Sequence, residues 1–433
     1  MMPLYRNDAV GEFPKSWYAA TTDLPGPRAA LEQDTSVDVA IVGAGFTGLN
    51  AAITLRELGL SVAVVDAHRA GWGASGRNGG QVGSDFNKSQ LWIEKRLGRE
   101  TAQSLWALAH EATDMVAGFC ADHAPDAMFK NGIAHGDISA DDLDDERRLI
   151  DHMDKHYPDH RTTVLDRDAF RDLVKTNLYQ GGTLNMRAGH VHPLRYVIAL
   201  AYRAEALGAQ ISETTPVTAI EHGAKVKLTT PQSVLTANHV ILAGNGYIRG
   251  LARANDARVM PVNSFIGATE PLGDQAAVIR DDIAVCDSSN VVNYFRMTHD
   301  GRLLFGGRAN YSLKFPADMG SALHKRMGEM FPQIAHVPFR HVWGGTLGIS
   351  VNRLPVVRRI APNVLSAGGY SGHGVALAGL AGRVMAEAVA GQASRFETLS
   401  SFPQWPMPLG PYGKSAMLPL AMAWFSLRDR IGI

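Results

Sequence analysis

The sequence predicts an α/β protein with two sheets, one parallel and buried, the other largely antiparallel. Three observations predict it. First, an apolar run of strand length, Val37–Val42, stops at glycines, passes into a helical pattern, and returns as a second apolar run, Ser61–Val65. Second, residues 258–310 carry alternating runs, Val262–Thr269, Val291–Met297 and Leu303–Gly307, as antiparallel strands do. Third, a further strand, Val364–Ala367, enters another glycine-rich turn and then a helix, Ala376–Ala390.

A chain of 433 residues is long enough for two or three domains around a large core. Its 45% hydrophobic and 19% charged residues are those of a globular protein. Basic and acidic residues balance at 42 each, which gives no reason to expect nucleic acid or an anionic membrane as partner. Two cysteines, Cys120 and Cys286, cannot make a disulfide framework, so a reducing, cytoplasmic setting is expected. The first residues lack the apolar segment of a secretory signal. Ala416–Leu427 is too short to span a bilayer, and the tail 397–433 is expected to pack on the body. Residues 1–35 hold four prolines and read as an extended arm, anchored by Trp17 and Tyr18.

The first unit is the most informative. Gly43, Gly45 and Gly48 stand in the spacing G-x-G-x-x-G, and Phe46 and Thr47 open the helix. Gly43 permits the turn, Gly45 lets a pyrophosphate approach the backbone, and Gly48 lets helix and strand pack closely. The helix N-terminus offers free N–H groups to phosphate. Asp66, with Ala67 beside it, ends the second strand 23 residues after Gly43, where a carboxylate accepts ribose hydroxyls. The order of the pieces indicates a Rossmann-type dinucleotide site. By itself it does not separate FAD from NAD. His68 and Arg69 would suit a 2′-phosphate, but the Asp66 carboxylate would repel one.

Gly71–Gln81 then forms a long loop of small and amide residues: Gly73, Ala74, Ser75, Arg77, Asn78, Gly79, Gly80 and Gln81. Such a loop can run along an extended cofactor. Here the sequence resembles the FAD-dependent amine and amino-acid oxidases related to D-amino-acid oxidase, glycine oxidase and sarcosine oxidase. The stretch 73–81 is similar to the gamma-glutamylputrescine oxidoreductase branch, and the resemblance runs from Ser16–Ala20 to Ser426–Arg430.

The resemblance implies a Rossmann-type FAD-binding domain with a parallel sheet, made of residues 36–84, 186–257 and 341–396. It also implies an α+β substrate domain with a large antiparallel sheet, made of 85–185 and 258–340. Thr215-Pro216-Val217 resembles the segment whose backbone meets the adenine, through Val217. His239–Gly246 resembles the strand under the cofactor, which brings in Ala243 and Gly244. The second turn, Gly369, Tyr370, Ser371, Gly372, His373, Gly374 and Val375, resembles the one that sets a helix N-terminus at the pyrimidine end of the flavin. Sarcosine oxidases bind FAD covalently through a cysteine near Gly345 or Thr346. No cysteine stands there and Cys286 is distant in sequence, so non-covalent FAD is expected, with Gly345 among the contacts. The lysine those enzymes use toward oxygen is missing from Leu303–Gly306, so the acceptor is O2 or another oxidant.

The remaining elements follow in order. Gln90–Arg99, Glu100–His123 and Asp141–His156 have helical spacing, and Phe129–His135 reads as a strand. The charge run 141–148 reads as a solvated helix face rather than an acidic site. His190 and His192 invite a metal, but the further ligands are missing, and no metal is expected. Ala209–Ile211 and Val217–Ile220 read as strands; Lys225–Thr230 and Val234–Thr236 read as a hairpin. Period two puts Tyr294 and Arg296 on one strand face. That pair would suit a substrate carboxylate, unless Arg296 points to solvent. The implied reaction is oxidation of a C–N bond in a small amine. Hydride passes from the α-carbon to flavin N5 and the imine is hydrolysed. Tyr294 and Arg296 orient the substrate, and His373 is the titratable neighbour of the flavin. The substrate expected is a gamma-glutamylputrescine-type amine; the alternative is glycine or a D-amino acid. Oligomeric state is open.

Overall fold

The computed structural model describes residues 7–248, 250–274, 278–289, 291–310 and 314–407. The described strands, β1–β17 in chain order, form two sheets. The first contains β1 (Thr35–Val42), β2 (Val62–Val65), β7 (Gln210–Ser212), β8 (Ala219–Glu221), β9 (Val226–Thr229), β10 (Val234–Leu242), β16 (Val356–Ala361) and β17 (Val364–Gly368). Its order is β16-β17-β10-β1-β2-β7, parallel from β17 to β7. A strand buried on both faces must be apolar throughout, and Val39, Ala40 and Ile41 are fully buried. Val39, Ile41 and Val64 face the helices α2 (Phe46–Glu57), α7 (Pro193–Ala206) and α10 (Gly374–Val389). Ala40, Ala63 and Val65 face the hairpin residues Val226 and Leu228.

The segments read separately as Val234–Thr236 and His239–Gly246 share one strand, β10, which ends at Leu242. Along one edge β10 pairs with β1 over its length. On the other edge it pairs first with β9, then with β17. Because β1 and β10 leave the sheet in opposite directions of strand order, their C-terminal ends border a topological switch point, where α/β sheets bind ligands.

The second sheet has the order β15-β11-β14-β13-β12-β4-β6-β3, with β5 on β6. Its strands are β3 (Gln81–Val82), β4 (Lys130–Asp137), β5 (Thr162–Leu165), β6 (Gly181–His190), β11 (Met260–Pro271), β12 (Ala284–Asp287), β13 (Tyr294–Met297), β14 (Arg302–Asn310) and β15 (Phe339–Ile349). Pairing is antiparallel except between β12 and β4. Residues 186–190 and 341–349, expected with the FAD-binding part, belong to this sheet as ends of β6 and β15. The chain crosses between the two bodies along these strands. β6 escaped the sequence reading because its glycines are poor strand formers. They are required by close packing: a Cβ at Gly182 would lie 2.0 Å from the His135 carbonyl oxygen.

Helices α3 (Gln90–Leu97), α4 (Arg99–His123), α5 (Ala140–His156), α6 (Arg167–Leu173), α8 (Arg253–Asp256), α9 (Ser321–Met330) and α11 (Ser394–Ser400) surround the sheets. The arm is not wholly extended. Trp17 and Tyr18 lie in the short helix α1 (Trp17–Ala20), both buried. Trp17 Nε1 donates to Asp300 at 3.1 Å, and the Tyr18 ring packs edge-on against Trp343. At the other end Phe402 is buried and Met407 N–H donates to the Ala257 carbonyl at 2.7 Å. The amphipathic segment 416–427 lies outside the described residues.

Candidate functional site

A cavity of about 1010 Å³ runs from the C-terminal ends of β1, β2 and β10 to α5, β4 and β12 of the second body. The first glycine turn forms its near end. Gly43 has φ +111°, and a Cβ there would lie 2.9 Å from the Ala243 carbonyl. A Cβ at Gly48 would lie 1.9 Å from Gly43 O, so only glycine lets α2 approach β1 this closely. Gly48 therefore shapes the turn from outside the cavity. Gly45 is the N-cap of α2, and Phe46 N–H donates to Ser75 Oγ at 3.0 Å. Asp66 lines the cavity and accepts the N–H groups of Ala44 and His68, each at 2.8 Å. Burial pushes its carboxyl up to about 6. Ala67, Val217, Ala243 and Gly244 line the same end. Arg69 turns away and donates to Pro25 O at 2.7 Å, so it does not present a cation to a 2′-phosphate.

The loop 71–81 fixes its own shape. Asn78 donates to the carbonyls of Ala74 and Ser75 and accepts from Gly80 N–H. Gly73, Gly79 and Gln81 line the cavity, whereas Gly80 (φ +87°) lies behind it, against Val191 and Arg296. Arg77 touches the cavity, but its donors go to Trp72 O, Gly344 O and Asp8. It ties the loop to β15, next to Gly345, and is a strut rather than a free phosphate ligand.

The second turn completes the near half. Ser371 has φ +54° and Gly372 φ +100°, which reverses the chain into α10 with His373 as N-cap. Tyr370, Ser371, Gly372, His373, Gly374 and Val375 line the cavity. Gly369 does not; it packs against Val259 and Val356. The two turns are in contact, since Thr47 Oγ1 and Tyr370 OH share a buried hydrogen bond of 2.7 Å. Gly382 brings α10 against α2, where a Cβ would lie 2.1 Å from Thr47 O. The cavity therefore receives two helix N-termini, from α2 and α10, each carrying partial positive charge.

The catalytic candidates separate. Tyr294 lines the cavity and shares a hydrogen bond with Ser264 at 3.2 Å. Burial pushes its phenol up to about 12, which keeps it neutral. Arg296 does share that strand face, but it stops under Gly79 and Gly80. It donates to Gly79 O, Met297 O, Val191 O and Tyr18 OH and is 4% exposed. It neither reaches solvent nor lines the cavity, so the substrate role read from its spacing is corrected to a buried support. His373 lines the cavity with Nδ1 buried and unpartnered, while its Nε2 lies 3.8 Å from Asp85. His190 and His192 make separate contacts, to Asp282 and to Thr21, and neither lines the cavity.

These residues suit FAD. An acidic acceptor stands at one end, glycine backbone and a helix N-terminus come next, and a second helix N-terminus lies beyond. The unpartnered His373 nitrogen is a polar atom awaiting a ligand. The family profile described as "FAD dependent oxidoreductase" matches residues 38–388. The chain belongs to the FAD-dependent oxidoreductases.

Within this family the chain is 38% identical to the probable oxidoreductase OrdL of Rhizobium meliloti, covering 96% of this chain and 97% of that one. It is 32% identical to the gamma-glutamylputrescine oxidoreductase of Escherichia coli, over 98% of this chain and 100% of the relative. Among solved structures, the glycine oxidase of Geobacillus kaustophilus superposes with a TM-score of 0.71 at 21% identity, covering 82% and 95% of the two chains. The L-proline dehydrogenase of P. horikoshii does so with a TM-score of 0.69 at 17% identity, covering 86% and 96%. At such identities the structures show a shared fold. No helix among the described residues is long and apolar enough to cross a membrane.

The far half of this oxidoreductase's cavity was not read from the sequence. His135, Glu146, Thr183 and Cys286 line it, together with the apolar Trp106 and Met153. Glu146 sits in the charge run assigned to solvent. A signal was present: Leu143, Glu146, Ile150 and Met153 lie on one helical stripe, the buried face of α5. Cys286, remote from Gly345 in sequence, lines the cavity too. Burial and nearby carboxyls push its thiol pKa far up, and Sγ contacts Ala134 O and His135 Nδ1.

Proposed function

We propose that this oxidoreductase oxidises a C–N bond of a small amine, of the gamma-glutamylputrescine type, with FAD held non-covalently. The reading is supported by the single cavity that joins both glycine turns to a far half walled by α5, β4 and β12. FAD, when bound, supplies the two-electron acceptor for the substrate's α-C–H.

The chain's own groups bind and orient. The N-termini of α2 and α10 favour negative charge, each by about 1 kcal/mol. Asp66 accepts hydroxyls at the near end. Tyr294, a neutral phenol, offers one hydrogen bond to the substrate. A protonated, buried Cys286 is a poor nucleophile, and Gly345 and Thr346 supply no thiol, which supports a non-covalent cofactor. The alternative, a glycine or D-amino-acid oxidase, needs a partner for the substrate carboxylate. Arg296, the residue offered for that role, already serves four protein oxygens, whereas gamma-glutamylputrescine carries its carboxylate away from the carbon that is oxidised.

The test is anaerobic bleaching of the flavin by a panel of gamma-glutamylputrescine, glycine and D-alanine, with reoxidation then compared under O2 and a quinone. Bleaching by gamma-glutamylputrescine first is expected. Faster bleaching by glycine or D-alanine would reverse the choice.

A further inference from the structure

The far end of the cavity holds more acid than it neutralises. Glu146 faces the cavity from α5 and makes no hydrogen bond or ion pair among the described residues. Behind it Asp137 is 1% exposed; its Oδ1 lies 3.6 Å from His135 Nε2, and its Oδ2 is buried without a partner. Burial raises the Glu146 carboxyl, His135 draws it back down, and Asp85 and Asp142 push it up again. Burial, then Glu146 and Asp142, push the Asp137 carboxyl up to about 7. The neighbouring Asp287 is different, because Asn293, Ser289 and Tyr179 satisfy it. One imidazole, His135, thus stands among several carboxyls, and among the described residues neither Glu146 nor Asp137 Oδ2 has a partner. Partly buried carboxyls without a counter-charge are unfavourable, and a cation relieves them. Next to Glu146 on the same helix, Leu149, Ile150 and Met153 give the cavity an aliphatic wall.

We infer that this end of the cavity recognises a second, protonated amino group of the substrate, carried on an aliphatic spacer away from the carbon that is oxidised. Glu146 is its direct partner, and Asp137 stands behind through His135. The inference rests on the amine reading above and narrows it to bifunctional amines. The ammonium is either the α-amino group of a gamma-glutamyl moiety or the far end of a free diamine.

Two pairs of probes separate these sources: gamma-glutamylputrescine against N-glutarylputrescine, and putrescine against n-butylamine. Within each pair only the second ammonium differs. Binding to the FAD-loaded protein is measured by calorimetry and by the anaerobic bleaching rate. In one pair the ammonium compound is expected to bind about tenfold more tightly, a charge-assisted hydrogen bond's worth. Glu146→Gln should reduce that ratio to near one. The pair that shows the ratio names the source. Equal affinity within both pairs, or a ratio that survives Glu146→Gln, overturns the inference. Should Glu146→Gln fold poorly, Glu146→Asp, which keeps the charge, must keep most of the ratio. If no amine bleaches the flavin, the amine reading fails; the calorimetric ratios still judge the cation subsite by themselves.

Discussion

The two halves of the cavity are built from different materials. The near half, from Asp66 to Gly374, is mostly backbone: glycine turns, helix N-termini and a loop bonded to itself. The far half is side chains from α4, α5, β4, β6 and β12, brought together from five stretches of sequence. A cofactor common to a whole family can be held by main chain, which few substitutions disturb. A substrate must be told apart from its neighbours, and only side chains do that. Substitutions in the near half should therefore act on folding and FAD retention, and those in the far half on which amine is accepted.

The largest effect is expected at Gly48. Gly48→Val would drive a side chain into Gly43 O, an overpacking of about 3 kcal/mol or more. Soluble yield and bound flavin should collapse together. Wild-type flavin content would break the comparison at its base. Next comes Arg296. Arg296→Leu leaves the carbonyls of Gly79, Met297 and Val191 without their donor, a loss of about 2–3 kcal/mol, seen as a lower Tm. Its remaining folded fraction should keep the KM for amine. A KM rise with an unchanged Tm would restore Arg296 to the substrate site. Tyr370→Phe removes the bond that joins the two turns and should cost about 1 kcal/mol, weakening FAD several-fold without altering the ranking of amines.

The smallest effect concerns pH. The Asp66 carboxyl titrates near 6 in the folded, cofactor-free chain, above its ordinary 3.8. A carboxyl raised on folding adds stability below the unfolded value and loses it as pH rises through the folded one. The free chain should thus lose that contribution between about 4 and 6. FAD affinity should do the reverse, weakening as pH falls through 6, because protonation removes acceptors for the ribose. Asp66→Asn should flatten both trends, and an unchanged pH profile of FAD binding in that variant would remove Asp66 from the ribose.

What the sequence disclosed follows the same division. The first turn, the second turn and the two kinds of sheet were legible because each depends on local backbone chemistry and on period. Period two also placed Tyr294 and Arg296 on one face. It could not say that Gly79, Gly80 and the arm's Tyr18 would cover Arg296, since those contacts join stretches far apart in the chain. β6 and β12 were missed because tertiary packing, not propensity, makes them strands. Glu146 was hidden by its charged neighbours, although its stripe with Leu143, Ile150 and Met153 pointed inward. Cys286, remote from Gly345 in sequence, lines the same cavity, which spacing along the chain could not show.

The position of FAD is the most direct test. A crystal structure of the protein grown with FAD should show a single cofactor. Its adenosine should be near Asp66, its pyrophosphate at the N-terminus of α2, and its ring edge at Gly372–Gly374, with no bond to Cys286. An empty cleft, or a ring seated away from the second turn, would contradict it.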